Sequence, residues 1–181
     1  MSIEPPIRQA RVSDVPLLGP LELRAAQRFA GSAHPYACSL AAFEPAALAR
    51  AVQRQHVWVA VDQQDTPVGF AVAGWLGGEP YLHELDVEPE HGGRGIGRRL
   101  VRRVGEWARA VGGESLLLST FADVPWNAPF YARLGFEIVP LAEYTAAMLR
   151  QREQDGAQGL RVESRVMMRA RLGSLLAPTH A

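Results

Sequence analysis

The spacing of apolar residues predicts where this chain is helical. From Ile96 to Val111 apolar residues recur every three or four positions and arginines fill the gaps, which is typical of a helix with one buried face. A similar stripe predicts a helix after Ser13-Asp14, with Pro16 in its first turn. That stripe consists of Leu17, Leu18, Leu21, Ala25 and Phe29. Further helices are predicted at 44–55, 127–134 and 141–155, the last with Leu141, Tyr144, Met148 and Leu149 on one side.

Short apolar runs between turn residues predict the strands. We expect them at 7–11, 57–61, 68–73, 81–87, 115–120, 136–139 and 165–172. Asp65-Thr66-Pro67 predicts an antiparallel hairpin, and residues 77–80 predict the next turn. This order of elements predicts an α/β (α+β) fold, a mixed sheet with helices on its faces. The strand–helix–strand unit around the Arg-rich helix should pair its two strands in parallel.

Length and composition limit the classes of protein to which this chain can belong. The 181 residues fit one domain over 1–181. No apolar run approaches the roughly 20 residues of a membrane span, and the first six residues lack the features of a signal peptide. Cys38 is the only cysteine, so we expect no internal disulfide and a cytoplasmic location. A net charge of zero argues against a general nucleic-acid binder, and the histidines lack metal-ligand spacing.

A Gly-rich turn, Glu90-His91-Gly92-Gly93-Arg94-Gly95-Ile96-Gly97-Arg98, joins a strand to the Arg-rich helix. The first turn of a helix has backbone N–H groups without partners and the positive end of the helix dipole. Glycines let a ligand approach that backbone closely. The chain has no lysine, so every side-chain cation other than histidine is a guanidinium. This predicts a phosphate or pyrophosphate site, with a purely structural turn beside a solvated helix face as the alternative.

Two other phosphate-binding motifs do not fit this turn. Gly92 and Gly97 have the spacing of a P-loop, but Arg98-Arg99 follow where Lys and a hydroxyl residue are required. A dinucleotide fingerprint needs a third glycine where Arg98 stands.

Two segments resemble the GNAT superfamily of acyl-CoA N-acyltransferases. Residues 87–97, followed by the Arg-rich helix, resemble its acetyl-CoA signature. Residues 127–136, in which Tyr131 is followed by three residues and then by Gly135-Phe136, resemble its second signature. The resemblance covers roughly residues 5–172. It implies acetyl-CoA as co-substrate without a metal, and a mostly antiparallel sheet with a splayed central strand pair. Two positions depart from the family pattern, because Gly92 replaces the usual Gln or Arg and Val124 the usual Asn.

The resemblance also implies which residues hold coenzyme A. The N–H groups from Gly93 to Gly97 would bind the pyrophosphate, helped by Arg94 and Arg98. The full set of cofactor-binding residues that the resemblance implies is Leu85, Asp86, Val87, Gly92, Gly93, Arg94, Gly95, Ile96, Gly97, Arg98 and Asn127. Residues 85–87 would lie beside the thioester, where a backbone N–H can polarise the carbonyl. Asn127 would contact the pantetheine arm, with a helix N-cap as its alternative role.

The expected reaction is direct attack of an amine on the thioester. Tyr131 matches the family position of the proton donor, and core packing is its alternative. We favour Glu84 as the base, with His83 and Asp86 left open. Alternation puts Glu84 and Asp86 on one face of the strand and His83 on the other.

The acceptor is a primary amine of a small molecule, a peptide or a protein. Candidate wall residues are His34, Tyr36, Trp126 and Tyr144, and the segment 141–159 is expected to form a lid or a dimer contact. A homodimer is therefore possible on the basis of the sequence. The alternative functions are a non-catalytic CoA-binding sensor or partner-binding module and, less favoured, an ATP-binding protein.

Overall fold

The computed structural model of the protein describes residues 5–178, which contain one seven-stranded sheet. Its strands are β1 (Ile7–Gln9), β2 (Val57–Val61), β3 (Pro67–Leu76), β4 (Glu79–Val87), β5 (Ser115–Phe121), β6 (Glu137–Ile138) and β7 (Arg165–Arg171). The strand order is β1-β2-β3-β4-β5-β7-β6. The pairs β1–β2, β2–β3, β5–β7 and β6–β7 are antiparallel, whereas β4 and β5 are parallel. The predicted mixed sheet, mostly antiparallel, is confirmed.

The helices are α1 (Val15–Ala26), α2 (Pro45–Gln53), α3 (Ile96–Ala110), α4 (Ala128–Ala132), α5 (Ala146–Ala157) and α6 (Leu172–Leu175). The short 3₁₀ segments among residues 5–178 are Val12–Asp14, Gln27–Gly31, Pro35–Ser39, Pro89–His91, Leu141–Glu143 and Val162–Ser164. The predicted loop at 31–39 is thus largely 3₁₀ helix. Within the described part of the chain, no helix has both the length and the apolar character of a membrane span.

The chain forms two compact units. Among the described residues the first comprises 5–74 and 83–104, and the second 75–82 and 105–178. The sequence expectation of a single domain stays a prediction.

In the first unit, α1 and α2 pack on the hairpin β2–β3. Leu18 and Leu21 of α1, Leu48 of α2 and Phe70 of β3 are all but fully buried in one core cluster. The Glu44 carboxylate accepts hydrogen bonds from the N–H groups of residues 46 and 47 at the start of α2, which satisfies two free donors. Leu17, predicted on the buried stripe of α1, is instead 45% exposed, because it lies at the edge of the apolar face.

In the second unit, the core forms between β5, β7 and α5. Tyr81, Leu117, Val139, Met148 and Met167 form its buried cluster. The parallel pairs join Tyr81 with Leu117 and Leu82 with Leu118, and β4 then continues to Val87.

A buried ion pair fixes α5 in the second unit. Arg165 Nε and Ser119 Oγ both donate to Asp155 Oδ2 at 2.9 Å, and Gln151 Nε2 donates to Asp155 Oδ1 at 2.8 Å. Arg165 also lies over the Phe121 ring, 5.0 Å from its centre. This anchoring fixes the C-terminal half of α5 in the second unit, and both the lid and the dimer contact for residues 141–159 stay predictions.

Three details of the predicted pattern are wrong. The helix predicted from residue 141 begins only at Ala146, because the Thr145 hydroxyl accepts a hydrogen bond from Met148 N and caps it. Leu141 and Leu149, expected on its buried side, are 60% and 45% exposed. Val111 lies beyond the end of α3 and is exposed, since Gly112 with φ of 85° already reverses the chain there.

Candidate functional site

The Gly-rich turn adopts a conformation that requires glycine at two positions. A 3₁₀ turn at Pro89–His91 ends where Gly92 N donates to Pro89 O at 3.1 Å. Gly93 and Gly95 then have φ of 73° and 75°, in the left-handed region that residues with a Cβ rarely occupy. α3 begins directly afterwards, at Ile96. The turn therefore leads the backbone straight into the first turn of a helix.

The start of α3 presents free donors on an accessible backbone. Arg99 N donates to Gly95 O at 3.1 Å, so the N–H groups of residues 96–98 precede the first intrahelical bond. Ile96 is buried and anchors the helix, whereas the residues from Gly92 to Gly95 are exposed. The side chains of Arg94 and Arg98 are exposed on the same segment. This geometry suits an anion, and pyrophosphate binding here stays a prediction.

Gly92, the departure from the family pattern, has a local reason. Its φ of −61° and ψ of 156° are open to any residue. A Cβ at this position would, however, lie only 3.1 Å from the Pro89 carbonyl oxygen. A glycine therefore relieves the tight turn before it, and the longer side chain usual in the family would press on that carbonyl.

Strand β4 separates its polar residues between two faces, as the alternation predicts. Glu84 and Asp86 lie together with Glu22 of α1, and one carboxylate oxygen from each residue lies within 4.8 Å of the other two. His83 lies elsewhere, against β3, where a Cβ added to Gly74 would be 2.5 Å from His83 Nε2. The structure therefore brings Glu84 and Asp86 together and places His83 apart from them, while the identity of the base stays a prediction.

Burial and mutual repulsion favour protonated carboxyl groups in this cluster. Burial, and then the charge of Glu84, raises the pKa of Glu22 to about 8, against a hydrogen bond of 2.8 Å from Phe43 N. Burial, and then Glu84 and Glu22, raises the pKa of Asp86 well above its usual range, while the Arg28 charge opposes the rise. Leu85 N donates to Glu84 Oε1 at 3.2 Å. Glu22 with this pKa holds a proton at pH 7 that an isolated carboxyl group would have lost, and the pKa of Asp86 is shifted in the same direction.

Burial also lowers the pKa of His83, and the neighbouring His56 lowers it further. Burial, and then the Arg54 charge, lowers the pKa of His56. Both imidazoles are therefore neutral at pH 7.

Sequence reasoning missed Glu22. It lies outside the glycine turn and outside both signature segments. The available signal was its position, since Glu22 directly follows the buried Leu21 and comes one helical turn after the buried Leu18. This position, an acidic side chain at the edge of the buried face of α1, is the signal that would have marked Glu22 as a candidate.

Tyr131 and Asn127 belong to the second unit, and both have local structural partners. The Tyr131 side chain is only 8% exposed, with its ring centre 5.0 Å from that of Phe130 and 5.6 Å from that of Phe136. Asn127 occupies the N-cap position of α4, but its side chain does not cap the helix and Nδ2 donates to Thr120 Oγ1 at 2.9 Å. The catalytic and cofactor roles of these two residues stay predictions.

The candidate wall residues are mostly part of the packing. Tyr144 adjoins the core of the second unit, and its hydroxyl accepts a hydrogen bond of 2.8 Å from Met167 N. His34 is buried and meets the edge of the Tyr36 ring at 6.0 Å between centres. Trp126 is half-buried.

Parts of this chain are similar in sequence to known acetyltransferases. The model of the acetyltransferase (GNAT) domain matches residues 53–138. N-alpha-acetyltransferase RimI of Mycobacterium tuberculosis is 34% identical over 102 residues, which cover 54% of this chain and 63% of the relative. Thialysine N-epsilon-acetyltransferase of Bos taurus is 34% identical over 77 residues, covering 41% of this chain and 44% of the relative. The chain thus spans less than two thirds of either curated relative.

The fold has a counterpart among solved structures. The crystal structure of Rv2747 from Mycobacterium tuberculosis, in complex with CoA, superposes with a TM-score of 0.67 at 24% sequence identity. The superposition covers 92% of this chain and 99% of that chain. The likeness establishes a shared fold over nearly the whole of both chains.

Proposed function

We propose, from the premise that residues 53–138 of this chain are a GNAT acetyltransferase domain, that the protein transfers an acetyl group from acetyl-CoA to a primary amine. The observation that carries the proposal is the turn before α3. Two left-handed glycines there expose free N–H groups at the head of a 15-residue helix. The acceptor is an amine of a small molecule, a peptide or a protein.

Coenzyme A would be held mainly by backbone. The N–H groups from Gly93 to Gly97 bind its pyrophosphate, and Arg94 and Arg98 add positive charge. The backbone of residues 85–87 pairs with the pantetheine arm and polarises the thioester carbonyl. Gly69 supports this arrangement, because a Cβ there would come within 2.9 Å of Asp86 O and 3.4 Å of Ile96 Cγ2. Strand β3 therefore lies close behind both the strand and the helix that bind the cofactor.

The acyl transfer needs a proton acceptor and a proton donor. Glu84 takes the proton from the acceptor amine, and its place in the carboxylate cluster supports this role. Tyr131 protonates the departing thiolate, a role carried over from the family signature. Both curated relatives are named for acetylation of an amine nitrogen, which supports an amine over a hydroxyl acceptor.

Gly95→Glu tests the cofactor site. A carboxylate and its side chain at this point would oppose the pyrophosphate by bulk and charge. We expect calorimetry to show at least a hundredfold loss of acetyl-CoA affinity, since several charge-assisted hydrogen bonds are lost together.

Gly112→Glu is the matched control. Gly112 has φ of 85° at the other end of the same helix, and a Cβ there would meet open space, as at Gly95. It should suffer a similar backbone strain and keep its affinity for acetyl-CoA. Equal affinity in the two variants would rule out the turn as the cofactor site.

A thioester-release assay over a panel of primary amines separates catalysis from binding alone. Turnover with any amine supports the transferase. Tight binding of acetyl-CoA without turnover on every amine would favour the non-catalytic CoA-binding module instead.

A further inference from the structure

Glu88 lies at the junction between strand β4 and the Gly-rich turn. β4 ends at Val87, and the 3₁₀ turn Pro89–His91 begins directly after Glu88. The backbone of Glu88 is held on both sides, because its N–H donates to Val68 O of β3 at 2.9 Å and its carbonyl accepts from His91 N at 2.9 Å. The position of Glu88 therefore sets the direction in which the chain leaves the sheet and enters the turn.

The side chain of Glu88 is held by Arg24 of α1. Arg24 Nε donates to Oε1 at 2.9 Å and to Oε2 at 3.2 Å, and Nη2 also donates to Oε1. The Glu88 side chain is only 15% exposed, although that of Arg24 is 56% exposed. A guanidinium that contacts both oxygens of a carboxylate fixes its orientation as well as its distance. The ion pair joins two elements that are 64 positions apart in the chain, both in the first unit.

Helix α1 holds Arg24 in a fixed place. Leu21, one helical turn earlier, lies in the core cluster of the first unit together with Phe70, and the neighbouring Ala25 is also buried. Rotation or sliding of α1 would expose both apolar side chains, so packing fixes the position of Arg24. The ion pair thus ties the start of the turn to the core.

We propose that Arg24 is a positioning residue, which acts through Glu88 to set the geometry of the cofactor-binding turn. This inference rests on the proposed function, in which the N–H groups from Gly93 to Gly97 bind the pyrophosphate. Charge-assisted hydrogen bonds depend on distance and angle, so donors that move with the turn lose affinity for their anion. Arg24 lies outside residues 53–138, the segment that matches the GNAT domain.

A simple charge effect makes a different prediction for Glu88. Without Arg24, the Glu88 carboxylate would be an unpaired negative charge close in sequence to the proposed anion site, and charges interact across a screening length of roughly 10 Å. If repulsion of the pyrophosphate were the whole effect, removal of the Glu88 charge would strengthen cofactor binding. If Glu88 has to be held in place by Arg24, removal of its charge weakens cofactor binding.

Calorimetry of acetyl-CoA binding to Arg24→Met, Glu88→Gln and the double variant separates these effects. We expect each single change to raise the Kd about fivefold, which is the upper range for a partly exposed ion pair. The double variant should bind no more weakly than the weaker single variant, because both changes break the same link. Tighter binding by Glu88→Gln, or losses that add in the double variant, would overturn the proposal.

Arg50→Met is the matched control. Arg50 Nη2 lies 3.6 Å from Glu44 Oε2, and the two side chains are 60% and 62% exposed. This ion pair joins α2 only to its own N-cap residue. The control variant should bind acetyl-CoA as the unmodified protein does, and an equal Kd in Arg24→Met and Arg50→Met would contradict a positioning role.

Nitrogen-15 NMR of the backbone amides, without ligand, reports the geometry of the turn directly. We expect Arg24→Met to shift the amide signals of Gly93, Gly95 and Ile96, and Arg50→Met to leave them in place. An ion pair that only stabilises the fold would lower the urea midpoint and leave both these signals and the Kd unchanged. That result would also overturn the proposal.

The Gly95→Glu variant, measured in the same series, separates this inference from the proposed function. Lost affinity in Gly95→Glu with unchanged affinity in Arg24→Met and Glu88→Gln would reject the positioning role alone. Absence of acetyl-CoA binding by the unmodified protein would reject both.

Discussion

Three glycines in one turn serve two different purposes. Gly93 and Gly95 adopt left-handed backbone conformations, which cost a residue with a Cβ roughly 1–2 kcal/mol each. Gly92 has an ordinary conformation, and its missing Cβ leaves room for the Pro89 carbonyl, which a Cβ would approach to 3.1 Å. Gly93 and Gly95 thus shape the proposed anion site, and Gly92 shapes the turn that leads to it.

Tyr131→Phe examines the proposed proton donor. The change removes only the hydroxyl and keeps the ring against Phe130 and Phe136. If the hydroxyl protonates the thiolate, kcat should fall on the order of a hundredfold while the KM for acetyl-CoA changes little. Steady-state kinetics with the best amine of the panel provides the measurement.

Tyr81→Phe is the control for this experiment, because Tyr81 is a buried tyrosine in the core of the second unit. It should keep kcat even if its stability falls. A Tyr131→Phe variant with unchanged kcat would leave Tyr131 a packing residue.

At the scale of elements, α5 depends on its cap and on its buried ion pair. Its periodic apolar pattern extends back to residue 141, but Thr145 fixes the first turn and Asp155 anchors the last. The helical period therefore predicted that a helix forms here. Its first residue depends on the Thr145 hydroxyl, and its attachment to the rest of the unit depends on Arg165, which is distant in sequence.

Thr145→Ala should destabilise the second unit by about 1 kcal/mol, the usual value of a lost N-cap. The lost hydrogen bond runs from Met148 N to the Thr145 hydroxyl, at 3.3 Å. Urea unfolding followed by circular dichroism measures the change. Thr145→Ser keeps the hydroxyl and should remain close to the original stability; an equal loss in both variants would mean that the methyl group matters instead.

Much of the fold could be predicted from local patterns in the sequence. Alternation along β4 correctly put Glu84 and Asp86 on one face, and the helical period of α3 is confirmed. The Glu22 cluster and the pairing of Asp155 with Arg165 were not accessible. Both join residues on different elements through tertiary packing, and a single sequence carries no record of which distant side chains meet.

On the scale of the whole molecule, the carboxylate cluster links stability to pH. The folded-state pKa of Glu22 is about 8, against an ordinary value of 4.5, so the folded protein holds a proton that the unfolded chain releases. The resulting stability is fully present below about pH 4.5 and is lost as the pH rises through 8. Asp86 contributes in the same direction, whereas His56 and His83, with lowered pKa values, contribute in the opposite one.

Glu22→Gln should flatten this dependence. Between pH 5 and 9 we expect the urea midpoint of the original protein to fall more than that of the variant. The variant lacks one titrating group, and its neutral amide no longer repels the carboxylates of Glu84 and Asp86. The histidine contributions are common to both proteins and cancel in the comparison. Parallel curves over this range would show that Glu22 ionises as an exposed carboxyl group does.

The contact between His83 and β3 has a consequence for how this sheet can vary. The imidazole occupies the volume that a side chain at position 74 would need, since even a methyl group there would lie 2.5 Å from Nε2. A side chain at position 74 would therefore have to displace the imidazole from its place against β3. Among homologous chains, residues larger than glycine at 74 should occur mainly with a smaller residue at 83 or with a His83 side chain turned away from the strand.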